Sequence, residues 1–188
     1  MALRANDPRL GLTEREWNEL EDPPGYRFEI IRGELDVTPG ASPEHGSAIG
    51  ELYVALRRKL PEGLRIVIDV DWHLNFAGRV TSAPRPDLMV VPADGPVVPI
   101  LAVEVLSPSD HHKFQGTELT RIEAKRLDYA HAGLEHYLEL DLASGTVFRY
   151  KLRADMVGGW SVRDAAEGHN ALYAKEPFEY LLIPSDLI

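Results

Sequence analysis

The chain has 188 residues, 44% of them hydrophobic and 27% charged, which suits one compact domain with a sizeable core. A formal net charge of −10 argues against indiscriminate nucleic-acid binding, because phosphate contacts need Lys and Arg, while leaving room for a local basic groove. There is no cysteine, so disulfides, thiolate metal sites and cysteine nucleophiles are excluded. The opening residues carry no apolar signal core and no run reaches membrane-spanning length. No membrane association and a cytoplasmic location are therefore expected.

In chain order, Thr13-Glu14-Arg15-Glu16 is a capping-box pattern before Trp17 and Leu20, and predicts a short helix ended by Asp22-Pro23-Pro24-Gly25. Residues 26–31 and 34–37 alternate on either side of Arg32-Gly33 and predict a β-hairpin. Within it Glu29 faces away from Phe28 and Ile30, the pattern of a solvated strand acid. Ser42 and Pro43 open a helix whose apolar stripe is Ile49, Leu52, Tyr53, Leu56 and Leu60. Arg57, Arg58 and Lys59 at its end suit the helix dipole. His45, in the first turn, fits a surface or capping residue, and fits a ligand or a base as well. Residues 64–76 alternate through Ile66, Ile68, Val70 and Trp72 as one half-buried strand, with Asp69, Asp71 and His73 on its polar side.

Two β-type runs follow, 87–91 and 100–106, separated by a loop rich in Pro and Gly. Near-continuous apolar runs read as strands buried on both faces. Each carries one acid: Asp87 opens the first and Glu104 interrupts the second. Taken singly, Asp87 reads as a turn cap after Pro86 and Glu104 as the partner of a nearby Arg or Lys. Taken together they suggest a metal site, because a buried carboxylate is costly unless paired, and a cation uses two such groups at once.

After a polar loop (Ser107 to Lys113), residues 118–131 predict a helix with Leu119, Ile122, Leu127 and Ala130 as apolar positions and Gly133 at its end. Lys125 and Tyr129, four apart, share a face of it. Residues 134–142 read as another strand, and Ala143-Ser144-Gly145-Thr146 turns into 147–152. Gly158-Gly159-Trp160 and the apolar segment 180–183 read as a further hairpin and a closing element.

The order of these motifs resembles the Uma-type family of bacterial restriction-endonuclease-like proteins, a branch of the PD-(D/E)XK nuclease superfamily. The residues that carry it are Phe28 to Leu35, Ser42-Pro43-Glu44-His45, Arg85-Pro86-Asp87-Leu88, Val103 to Ser109, and Lys125 to Tyr129 followed by Gly133 and Glu135-His136-Tyr137. The resemblance implies an α/β (α+β) restriction-endonuclease-like fold, with a central mixed β-sheet flanked by helices. The resemblance covers about 26–141; taken with the length, the expectation is a single nuclease-like domain over 1–188, with a core at about 26–141 and a C-terminal β extension at about 142–188. The resemblance also implies hydrolysis of DNA phosphodiester bonds with Mg²⁺ or Mn²⁺. Asp87 matches the Asp of PD and Glu104 the acid of (D/E)XK. The motif's lysine is missing, since Leu106 stands in its place; Lys125 on the following helix matches the displaced lysine, and Lys113 is the fallback. Glu29 and His45 match further family positions. For such a cation the donors would be Asp87, Glu104 and the Val105 carbonyl, all oxygen. DNA would bind weakly through a local basic groove, with Arg57, Arg58, Lys59, Arg85 and Lys113 as its candidates, and a homo-oligomer is compatible with this reading.

Two alternatives stay open. One is a nuclease fold without catalysis serving as a binding or assembly module, which Leu106 and the acidic balance favour. The other is a metal-dependent hydrolase of a small molecule using Asp69, Asp71, His73 and Asp87.

Overall fold

A computed structural model describes residues 12–76, 79–114, 116–152 and 159–188. Its elements are β1 (Leu12–Thr13), α1 (Glu14–Asn18), β2 (Tyr26–Ile31), β3 (Glu34–Pro39), α2 (Pro43–Arg57), β4 (Leu64–Ile68), β5 (Leu74–Phe76), β6 (Arg79–Ser82), β7 (Leu88–Pro92), β8 (Leu101–Leu106), α3 (Arg121–His131), β9 (His136–Asp141), β10 (Thr146–Leu152), β11 (Trp160–Glu167), β12 (Leu172–Ala174) and β13 (Tyr180–Leu182). Contacts divide the chain into two compact units, Met1–Gly40 with Asp71–Arg85, and Ala41–Val70 with Pro86–Ile188.

In the first unit Thr13 caps α1, and the Glu16 carboxylate accepts the Thr13 amide at 2.7 Å, completing the capping box. β2 and β3 pair antiparallel with Ile31 opposite Glu34. Arg32 and Gly33 between them have φ of 52° and 82°, and positive φ at both centres gives the turn whose twist matches the strands. Glu29 departs from its pattern. It is buried, and its Oε1 accepts the Arg85 amide at 2.7 Å, so a backbone donor replaces the water that alternation predicts.

The predicted strand over 64–76 is broken. β4 ends at Ile68, Asp69 takes φ 55°, outside the extended region, and pairing resumes only at Leu74. Asp69 consequently belongs to one unit, and Asp71 and His73 to the other.

The second unit is built on a six-stranded sheet in the order β11-β10-β9-β8-β7-β4. β8 and β9 run parallel and the other neighbours antiparallel, so the sheet is mixed. A parallel neighbour needs a crossover, and α3 lies within it. Leu88 to Val91 and all of β8 are buried, as their apolar runs predict. Leu88, Val90, Leu101, Val103, Val105, Leu138 and Leu140 share a core with Ala48, Ile49, Leu52 and Leu56 of α2. Because side chains alternate along a strand, Glu104 and Glu139 stand on the opposite face, the one that α3 covers.

α3 starts three residues later than its apolar spacing predicts. The Thr120 hydroxyl accepts the Glu123 amide and Glu123 accepts the Thr120 amide at 2.8 Å, a capping box that leaves Leu119 outside. Past its end Gly133 has φ 78°, the left-handed geometry that glycine adopts without strain. β10 and β11 form the later hairpin; the predicted Gly158 lies outside the described residues. The apolar segment at 180–183 becomes β13, paired with β12. The architecture is α+β, with helices on a mixed central sheet. No helix among the described residues is long and apolar enough to cross a membrane.

Candidate active site

The antiparallel register of β7 and β8 pairs Leu88 with Val103, and carried one residue further it sets Asp87 opposite Glu104. Both are buried, at 5% and 4% exposure. Asp87 Oδ2 accepts the Val105 amide at 2.8 Å, which ties this carboxylate to the neighbouring strand. Its own backbone carbonyl accepts the Asp69 amide at 3.2 Å.

Glu104 is met from above by α3. The Lys125 amine lies 2.7 Å from Glu104 Oε1, and the Tyr129 hydroxyl donates to the same oxygen. Lys125 is 1% exposed, so its charge is spent inside the protein and not on solvent. The helical spacing of four puts both groups over one strand residue.

His45 closes the other side. Ser42 caps α2 and accepts the His45 amide at 3.2 Å, which fixes the first turn. From there His45 Nε2 donates to the Val105 carbonyl at 2.8 Å and stands 3.4 Å from Asp87 Oδ2. Its Nδ1 is buried without a hydrogen-bond partner among the described residues. Burial opposes charging of this imidazole, but the hydrogen bond and charge of Asp87, with the Val105 carbonyl and Asp110, outweigh it and raise the pKa. His45 is thus more than a surface cap.

Beside Glu104 in the parallel register lies Glu139 of β9, 1% exposed. Arg126 grips both of its oxygens and the Tyr150 hydroxyl donates to one at 3.0 Å. The sequence alone assigns no site role to Tyr129, Arg126 or Glu139. The signal for Glu139 is the one that marks Glu104, an acid interrupting an apolar run.

The remaining candidates fall elsewhere. Lys113 is exposed and ion-paired with Glu118, whereas Lys125 reaches Glu104 directly. Glu29 lies in the first unit, bonded to the Arg85 amide. In that unit Arg85 is held by Asp71 at 2.6 Å and Asp22 at 2.7 Å, and Asp71 also accepts the Trp17 indole at 3.0 Å. Among the described residues no three His, Asp or Glu side chains form a metal-binding group. A hard cation does not require three: Mg²⁺ takes one or two carboxylates and keeps several waters. Asp87, Glu104 and the Val105 carbonyl are an all-oxygen set of that kind, and the carbonyl retains a second lone pair beside its bond from His45.

The turn after β8 (Pro108–His111) supports the site from below α3. Asp110 there accepts the Ser107 amide and hydroxyl, each at 2.8 Å, and pairs with Arg121. Burial opposes its ionisation, but the Arg121 charge and the Ser107 bonds outweigh it and hold its pKa below the ordinary value. Its contribution to stability is therefore present above the unfolded pKa, about 4, and is lost as pH falls through the lower folded value. Melting curves taken downward from about pH 4 should show Asp110→Asn losing stability less steeply than the parent. Parallel curves would contradict the linkage.

A mixed sheet carrying two buried acids on adjacent strands, with a lysine supplied by the crossover helix, is a restriction-endonuclease-like fold. The chain belongs to the Uma2 family, described as "Putative restriction endonuclease", whose model matches residues 15–182. It is also similar to a crystal structure titled as a putative nuclease belonging to DUF820 from Anabaena variabilis ATCC 29413. The TM-score is 0.65 at 18% identity, over 94% of this chain and 97% of that chain. At that identity the likeness bears on the fold. No curated protein matches the chain.

Proposed function

We propose that the protein is a metal-dependent DNA endonuclease that hydrolyses phosphodiester bonds at Asp87, Glu104 and Lys125. The observation that carries this reading is the buried Lys125 amine 2.7 Å from Glu104, on the carboxylate that the family's motif would use. A lysine on α3 thereby supplies what Leu106 cannot. Asp87, Glu104 and the Val105 carbonyl would hold Mg²⁺ or Mn²⁺. When bound, such an ion lowers the pKa of a coordinated water and offsets charge on the phosphate oxygens. Lys125 orients the attacking water and stabilises the charge that develops on the phosphate. His45 holds the Val105 carbonyl in place through its Nε2 hydrogen.

DNA would be bound weakly, as the net charge of −10 demands. Of the cations suited to a basic groove, Arg85 is occupied by Asp22 and Asp71, and Lys113 by Glu118. Lys59 pairs with Glu179 at 3.8 Å, so the exposed Arg57 and Arg58 at the end of α2 are left as the better candidates. A cytoplasmic location, with access to DNA, goes with the same reading.

The test is nicking of supercoiled plasmid at low salt with Mg²⁺ or Mn²⁺. The parent should cleave, and Glu104→Gln should fall by on the order of 10³-fold or more, since a metal ligand is lost while the packing is kept. Equal cleavage by the variant would identify a contaminant. Silence of the parent with metal bound would point to a small-molecule substrate, and silence without metal binding to a non-catalytic module.

A further inference from the structure

We infer that Tyr129 is a positioning residue for Glu104, fixing this carboxylate for the cation; the inference rests on the metal-dependent reading above. Tyr129 is fully buried, and its hydroxyl donates to Glu104 Oε1, the oxygen that also receives Lys125. The phenol has little freedom to turn away. Its ring centroid lies 5.5 Å from that of Tyr137, and Tyr137 in turn packs 5.7 Å from Tyr150 and 5.6 Å from Trp160. An aromatic cluster spanning α3, β9, β10 and β11 therefore sets where the hydroxyl points.

The two donors on Oε1 differ in a way that matters for chemistry. Lys125 brings a positive charge, which competes with a cation for the carboxylate and which catalysis needs at the water and phosphate. Tyr129 brings a neutral hydrogen bond, which orients the carboxylate without repelling a cation. Tyr129 thus holds Glu104 within its buried setting by a bond that does not depend on Lys125. Its role is exerted through Glu104 and not on the reacting atoms.

Mn²⁺ titrated calorimetrically into the full chain provides the test. Tyr129→Phe, which keeps the ring, should weaken Mn²⁺ binding 10–100-fold, the usual effect of losing an outer partner of a metal ligand. Lys125→Met should not weaken it. In cleavage assays the Tyr129→Phe defect should shrink as Mn²⁺ is raised, with the maximal rate largely restored. Binding by Tyr129→Phe as tight as the parent's overturns the inference and leaves Tyr129 as packing alone. A parent that binds no Mn²⁺ overturns the metal reading itself, and this inference with it. Should the variant not fold, the parent decides: Mn²⁺ must perturb tyrosine absorption, and no difference band overturns the inference.

Discussion

Replacing Lys125 with Met should lower the cleavage rate by on the order of 10²–10³-fold, the scale for removing one group that stabilises transition-state charge. Met preserves most of the buried stem, so the packing under α3 survives. The stability consequence runs separately. Glu104 keeps the Tyr129 hydroxyl but loses its cationic partner, and breaking a buried pair from one side costs about 3–5 kcal/mol. A divalent ion returns positive charge to that carboxylate without competition from the ammonium. Mn²⁺ should therefore raise the melting temperature of Lys125→Met by more than it raises the parent's. Plasmid nicking and melting with and without Mn²⁺ check both halves. A variant with parental activity would remove Lys125 from the chemistry; a variant with parental stability would mean that its pairing with Glu104 is worth little.

What the sequence makes legible follows from how local each signal is. The α1 capping box, the Arg32-Gly33 hairpin and the buried runs of β7 and β8 depend on residues within a few positions of one another, and all appear where their patterns predict. The break at Asp69 does not announce itself, because alternation continues through Val70 and Trp72 while the backbone turns at φ 55°. Glu29 is misread for a similar reason: period two tells which face a residue takes, but not that a backbone amide more than fifty positions later will cover it. At the site, one acid per apolar run suffices to single out Asp87 and Glu104. Lys125 needed the family resemblance, since a lysine between acids and arginines on a helix reads as solvated. Tyr129 and the Arg126–Glu139 pair depend on which strand lies beside β8, and the parallel placement of β9 is not written in any local pattern.

The largest loss of stability should come from Arg126→Ala. Glu139 is almost wholly buried one strand away from Glu104, and Arg126 meets both of its oxygens through Nε and Nη2. The same guanidinium lies 4.9 Å over the Tyr150 ring, and the Arg126 carbonyl accepts the Trp160 indole at 2.8 Å. Burial opposes the charge on Arg126, but the hydrogen bonds and charge of Glu139 outweigh it and raise the pKa further. Alanine leaves Glu139 with the Tyr150 hydroxyl and no counter-charge. Removing one side of a buried pair costs about 3–5 kcal/mol, and the lost cation–π contact adds to it. Replacing both partners with apolar residues of similar volume, Arg126→Met with Glu139→Leu, should recover most of that loss, because no buried charge then remains. Urea unfolding of the parent, the single variant and the double variant separates these terms. If Arg126→Ala costs under about 1 kcal/mol, the pair behaves as a solvated surface bridge, and water reaches Glu139 beside β8.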